Sequence, residues 1–371
     1  MKEKINDATR DESRRTPLSS LTISPCDGVH VCNTPAPYCG RTRAAFPRLV
    51  LLCVLLLCQA LSYTAYASQK GNDPSDSLAL YRAVVFANRY PGLASDQVRE
   101  DSGTVDQMRL WLVAGTLFTA NTAIMVYYFA TFYNDDYAQR GAFHTFDDWY
   151  NADLNVDKLG HIWGSQTYTR LLYRIFRWTG MRDPSAMYWS AGGSMLFQLE
   201  MEITDGLYEK WGFSWWDMAA NTVGAVWPHV QRMAPELQSV NLKMSYRPSA
   251  AVKNGWVQHD YLRDYDGFTY WLALSVEDVL PQSLKPWWPD WLGIAVGYGA
   301  NRTMLGKNVF NSREGKGQGE QEWYIALDYD LRKLPGDGAF VRFLKEELNL
   351  FHFPSPAVRI APDAIWYGLY F

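Results

Sequence analysis

Cysteine is missing from most of this chain: all five (Cys26, Cys32, Cys39, Cys53 and Cys58) lie before Ala67. Disulfide staples, thiol nucleophiles and zinc–thiolate sites are therefore excluded from the 304 residues that follow. Motifs with a fixed chemical meaning are missing too. The sequence has no nucleophile elbow, phosphate loop or metal-ligand run. Gly297-Tyr298-Gly299 falls in a strand pattern with no helix behind it, which removes it as a nucleotide loop. Basic charge is scarce as well. The first 67 residues hold eight Lys or Arg and five Asp or Glu, leaving 27 against 34, a net charge of −7. That balance gives no electrostatic footprint for nucleic acid.

Aromatic residues are abundant instead, with 16 Trp and 23 Tyr. Both favour positions with one end apolar and one end wet, as at membrane interfaces and in carbohydrate or lipid sites. Residues 49–62 form an apolar core preceded by Arg41, Arg43 and Arg48 and followed by Ala65-Tyr66-Ala67. This pattern predicts a secretory signal peptide cleaved after Ala67. Its core of about 14 residues is short for a membrane span. Leu57 stands where a lipobox needs a small residue before Cys58, so lipidation is not expected. Residues 1 to 40 carry no periodic apolar pattern and read as an upstream extension.

Along the rest of the chain the hydrophobic period changes once. Residues 68–104 read as a polar linker with one amphipathic stretch, Leu78 to Tyr90. Leu110 to Tyr133 carries no formal charge and is long enough to cross a bilayer or to serve as a central helix. An acidic, aromatic loop follows, and then three helices: Val156 to Trp178, Ser185 to Thr204, and one from Ser214 to just before Pro228. After about residue 238 the pattern alternates. Leu242–Tyr246, Phe268–Val276, Leu292–Tyr298, Trp323–Leu331 and Ile365–Phe371 read as strands, with one helix, Phe340–Leu350, among them. A run of helices followed by a run of strands predicts an α+β fold. The expected form is an N-terminal bundle of about four helices over residues 105–238, then a C-terminal antiparallel β-sheet over 239–371. The closing strand's aromatic terminus, Phe371, makes a partial barrel one option for that sheet.

Three pairs of polar residues interrupt the most apolar helices at helical spacing: Asp157 with His161, Glu202 with Asp205, and Asp217 with Asn221. Residues three or four apart share a face, so three helices can aim these pairs at one centre. A carboxylate on one imidazole nitrogen raises basicity at the other, which would make Asp157 the orienter and His161 a general base, with Ser165 one turn further along. The alternative is a paired network, including Lys158 and Asn221 as binding groups, that specifies packing without chemistry. The spacing is not diagnostic of a cation site, so no metal or cofactor is assigned.

These motifs resemble a known family. DKLGH (Asp157–His161), the E-x-x-D of Glu202 to Asp205 and GFSWWDMAANTVGA (Gly212–Ala225) are similar to motifs of the YfiM-like family of predicted periplasmic lipoproteins. FHTFDDWYNADLNVDKLGH, RDYDGFTYWLALS, WLGIAVGYGA and WYIALDYDL extend the likeness over about residues 140–371. A more distant likeness is to VanZ-like membrane proteins, through the Lys-x-x-His and Asp-x-x-x-Asn-x-x-Gly helices. The resemblance implies a bacterial cell-envelope location and groups the motifs; it implies no reaction. The expectation is an exported protein of the periplasm or outer membrane, membrane-associated, with a structural or a lipid- or partner-binding role. Its expected partners are membrane lipid or an envelope protein. The alternative is an envelope hydrolase or transferase acting on lipid or cell-wall material, with His161 as base and Asp157, Glu202, Asp205 or Asp217 assisting.

Overall fold

A computed structural model describes residues 104–133, 139–149, 153–256, 261–306 and 319–371. The expected extension and signal peptide, and the amphipathic stretch Leu78 to Tyr90, lie outside the described residues. Seven α-helices are present among those described: α1 (Gln107–Thr131), α2 (Val156–Trp178), α3 (Asp183–Asp205), α4 (Trp215–Met233), the single turns α5 (Ala250–Lys253) and α6 (Val276–Val279), and α7 (Ala339–Leu348). Two short parallel strands, β1 (Thr145–Phe146) and β2 (Phe213–Ser214), tie the loop before α2 to the start of α4. The remaining strands are β3 (Val240–Tyr246), β4 (Phe268–Leu274), β5 (Leu292–Asn301), β6 (Glu320–Tyr329), β7 (Ser355–Ala361) and β8 (Ile365–Tyr370). They pair in chain order as one antiparallel sheet.

The α+β order is as expected, but the bundle of about four helices is not. Only α2, α3 and α4 pack closely on one another, whereas α1 buries just Val113 and Met125 and leaves Trp111, Leu112, Phe118 and Val126 exposed. A helix apolar on all sides has no polar face to turn outward, so it needs a covering on every side. Among the described residues α1 is the one helix long and apolar enough to cross a membrane. Helix α4 also continues past Pro228 rather than stopping before it. The ring removes one helical hydrogen bond. Beyond it, Gln231 Nε2 donates to the carbonyls of Leu237 and Val240 and holds the helix end in place.

Strand β7 was not legible in the sequence, because Pro354 and Pro356 punctuate it and break the alternation. The sheet itself curls strongly. Gly293, Ala295, Gly297 and Gly299 give β5 a nearly bare inner face, over which Trp271 lies so closely that a Cβ on Gly297 would meet its ring at 2.6 Å. Trp271, Tyr324 and Tyr370 fill the space inside the curl. The hydroxyls of Thr269 on β4 and Tyr370 on β8 meet at 3.0 Å across this interior. The curl does not close into a barrel. β3 and β8 are not neighbours, and the outer edge of β3 is met by the Leu350–His352 segment and by the side chains of Gln166 and Gln231.

The helical unit is closed by one close approach. Gly224 of α4 lies so near α2 that a Cβ there would stand 2.2 Å from the carbonyl oxygen of Ile162. Replacing Gly224 by Ala is expected to lower stability by about 1–3 kcal/mol through overpacking. Gly192 of α3 faces open space, and Gly192→Ala should raise stability by up to about 1 kcal/mol from helix propensity alone. Thermal melts of both variants check the pair; equal shifts would contradict the packing described.

Candidate functional site

The chain enters α2 through two left-handed residues, Leu154 (φ 53°) and Asn155 (φ 63°). Such a conformation in a leucine costs of order 1 kcal/mol or more. It is held by burial of Leu154 and Val156 against Ala300, and by Tyr298 Oη donating to the Leu154 carbonyl. Arg302 clamps the turn by pairing with Asp153 and with Asp266 at 2.6 Å. The strained turn sets the rotation of α2, so that Asp157, Lys158 and His161 face the neighbouring helices.

Lys158 is the hub. Its ammonium is bound to Asp148 and lies 2.9 Å from Asp157 Oδ2 and 2.8 Å from Asp217 Oδ1. Burial alone would depress its pKa, but Asp157, Asp217 and Asp148 override that effect and hold it above the ordinary lysine value. Ser214 assembles the rest. Its hydroxyl accepts from the Asp217 amide at 3.0 Å, capping α4, and donates to Asp148 Oδ1 at 2.6 Å. Its own amide donates to Glu202 Oε2 at 3.1 Å. Asp217 therefore sits in the first turn of α4, where the helix field favours a negative charge.

His161 stands beside this hub on the next turn of α2. Its Nδ1 lies 3.0 Å from Asn221 Oδ1. A carbonyl oxygen only accepts, so Nδ1 donates in this contact and Nε2 is the ring nitrogen turned to the carboxylates. That Nε2 faces Asp217 Oδ1 at 3.5 Å and Glu202 Oε1 at 3.9 Å. Behind it, Gln198 Nε2 donates to Ser165 Oγ at 2.8 Å, and Ser165 Oγ donates to Asn221 Oδ1 at 3.0 Å. The His161 side chain is 26% exposed, against 2% for Glu202 and 10% for Asp217. The imidazole is thus the group of this trio that solvent reaches most.

The predicted residues do converge, with changed roles. Asp157 bonds Lys158, so it does not orient His161; Asn221 does. Ser165 turns its hydroxyl to Asn221, so no Asp–His–Ser relay exists on α2. Asp205 stands to one side, accepting at 2.6 Å from the hydroxyl of Tyr133, whose ring stacks on Tyr208 and meets Trp211 edge-on. Asp148, Ser214, Gln198 and Tyr133 were not found from the sequence. Ser214 alone left a signal, as the cap of S-W-W-D, while Asp148 comes from an aperiodic loop that carries no spacing rule.

Too much acid is buried here for the available positive charge. Burial, with the charges of Asp217 and Asp205, raises the Glu202 pKa to about 10. Burial likewise raises Asp205 to about 7 and Asp217 to about 6. Glu202 is therefore protonated at neutral pH, an acid held 3.9 Å from His161 Nε2. Ligand atoms of His161, Glu202 and Asp217 all lie within 4.8 Å of one another, as do those of Asp148, Asp157 and Asp217. The second set already surrounds the Lys158 ammonium. The first has donors of the type that bind zinc or iron.

The architecture and site together define a helical unit with a converged acid–imidazole centre, backed by a curled antiparallel sheet. Residues 146–232, which hold that centre, match a family model described as predicted periplasmic lipoprotein (DUF2279). The match covers less than half of the chain and supports an exported cell-envelope protein. Neither a curated protein nor a solved structure matches the chain.

Two measurements follow from the charge arrangement. Lys158→Met leaves three buried carboxylates uncompensated and is expected to cost about 3–5 kcal/mol in a denaturant melt. For Glu202 the folded pKa exceeds the ordinary value, so folding takes up a proton between the two. Its contribution is fully present below about 4.5 and is lost as pH rises through about 10. Glu202→Gln keeps the neutral form at all pH values, so its melting temperature should fall less than that of the wild type between about pH 6 and about pH 9. Parallel pH profiles would contradict a protonated Glu202.

Proposed function

We propose that the centre is the acid–base site of a membrane-associated envelope hydrolase or transferase acting on lipid or cell-wall material. The observation that carries this reading is the surplus of buried acid around a partly exposed imidazole. A network built only for packing gains from balance, because each unpaired buried carboxylate costs several kcal/mol. Here Glu202 stays buried without an ion-pair partner among the described lysines and arginines, beside an imidazole whose side chain is 26% exposed. Titratable groups pushed apart by their surroundings are the pattern expected of a site that moves protons.

His161 Nε2 is the base. It removes a proton from water or a substrate hydroxyl, while Asn221 fixes the ring and Asp217 stabilises the imidazolium that forms. Glu202 holds a proton behind Nε2 and keeps the local charge low before reaction. Exposed Trp149 adjoins Asp148 in the chain and lies tilted against Trp216, the neighbour of Asp217, at 4.4 Å, with exposed Trp215 one residue further. Large exposed rings beside the centre suit a sugar or lipid substrate.

The test uses the full chain in detergent micelles, incubated with phosphatidylethanolamine, phosphatidylglycerol and soluble peptidoglycan fragments, with products read by mass spectrometry. Turnover of one substrate is expected, falling by about 10²-fold or more in His161→Ala while its melting temperature stays near the wild type. No product from any substrate, with His161→Ala merely less stable, would establish the packing role instead. Wild-type turnover in His161→Ala would also defeat the proposal.

A further inference from the structure

The sheet is built inside out. In a soluble antiparallel sheet, alternate residues send apolar groups to a core and polar groups to water. Here the inward positions carry the charge. Lys243 Nζ donates to Asp328 Oδ2 at 2.7 Å, to the Tyr329 carbonyl at 2.8 Å and to Asn349 Oδ1 at 3.0 Å, all inside the curl. Arg359 and Glu322 pair at 2.5 Å on the same side. The outward positions of the six strands carry no charged residue at all.

The end of the outward face that carries Phe268, Tyr270, Tyr298 and Ala300 packs against Leu154 and Val156; the rest of it is apolar and exposed among the described residues. Leu272 is 52% exposed, Val296 46%, Ile325 49% and Trp366 67%. Val296 pairs with Leu272 on one side and Ile325 on the other, so they form one row across the sheet, with Leu274, Ile294 and Leu327 as the next. Aromatic pairs stand at both ends of these rows: Tyr298 with Trp323 at 4.9 Å, and Trp291 with Tyr329 at 6.0 Å. On β6, Trp323 and Tyr329 stand six positions apart, about 20 Å of strand. An exposed apolar face flanked by Trp and Tyr is the kind of surface that meets lipid at the membrane–water boundary.

We infer that this outward face is a lipid-facing surface, seated against the acyl chains of a bilayer. Charge decides the occupant. A neutral face edged by Tyr and Trp, with every ionised strand side chain turned away, complements hydrocarbon flanked by headgroups. The sheet is open and makes no pore. The face rests on one leaflet rather than spanning the bilayer, so the unpaired outer backbone of β8 stays at headgroup level. The polar centre is then placed near one aromatic end. A Cβ on Gly160, the residue before His161, would lie 2.9 Å from Tyr270 Oη, and Tyr270 pairs with Tyr298 at that end. This inference does not rest on the centre being catalytic.

The experiment is flotation of the full-length protein, purified in detergent, with vesicles of phosphatidylethanolamine and phosphatidylglycerol. The wild type is expected to float. Val296→Lys/Ile325→Lys should reduce the floated fraction by about 30-fold or more, the cost of lysine at the middle of the face, with an unchanged circular-dichroism melt because both positions are already exposed. Brominated acyl chains should quench Trp fluorescence in the wild type, and Trp366→Phe should diminish that quenching. Flotation of the double lysine variant at the wild-type level overturns the inference. So does loss of flotation in Leu112→Lys/Phe118→Lys with none in the sheet variant, which would assign attachment to α1. A water-soluble dimer of the wild type that does not float would assign the face to a second copy and would also overturn it.

Discussion

One buried ammonium organises the helical half of this protein. Lys158 draws Asp148 from a loop, Asp157 from its own helix and Asp217 from the first turn of α4 onto a single point. Three separate stretches of chain are thereby fixed relative to one another by strong, directional contacts. Ser214 adds a fourth constraint by bonding Asp148, Asp217 and Glu202 at once. The geometry around His161 is a consequence of this knot, because the same turns of α2 and α4 that meet Lys158 also set the imidazole against Asn221.

Backbone contact makes the knot tight enough to matter. Gly224 lets α4 approach the carbonyl of Ile162 without a side chain between them, and the next residue before Ile162 is His161. Helices that approach this closely leave no room for water between facing polar groups, which strengthens their interactions and raises the cost of any that lack a partner. The raised pKa of Glu202 is the local expression of that dry, crowded setting.

How much of this could be read from the sequence depended on periodicity. Helix α2 was legible to both end residues, and β4, β5 and β8 were found with small errors at their ends, because apolar spacing is a local signal that packing merely confirms. The convergence of Asp157, His161, Glu202, Asp217 and Asn221 was legible for the same reason: polar residues at helical spacing in apolar helices must face something. Their partners were not. Whether His161 meets Asp157 or Asn221 is decided by helix crossing, and Asp148 lies in a segment with no repeat to read. The isolation of α1 was hidden too, since an apolar helix looks the same in sequence whether protein covers it or not. The curl of the sheet depends on Gly and Ala facing large rings across several strands, a long-range match that no single strand reveals.

The arrangement of the sheet has a cost during biogenesis. A surface with charge hidden and hydrocarbon displayed is poorly suited to an aqueous compartment, where it favours clumping with copies of itself. An exported chain of this design must be kept apart from its siblings between translocation and final residence. Refolding in buffer would set this face against copies of itself unless detergent or lipid covers it first.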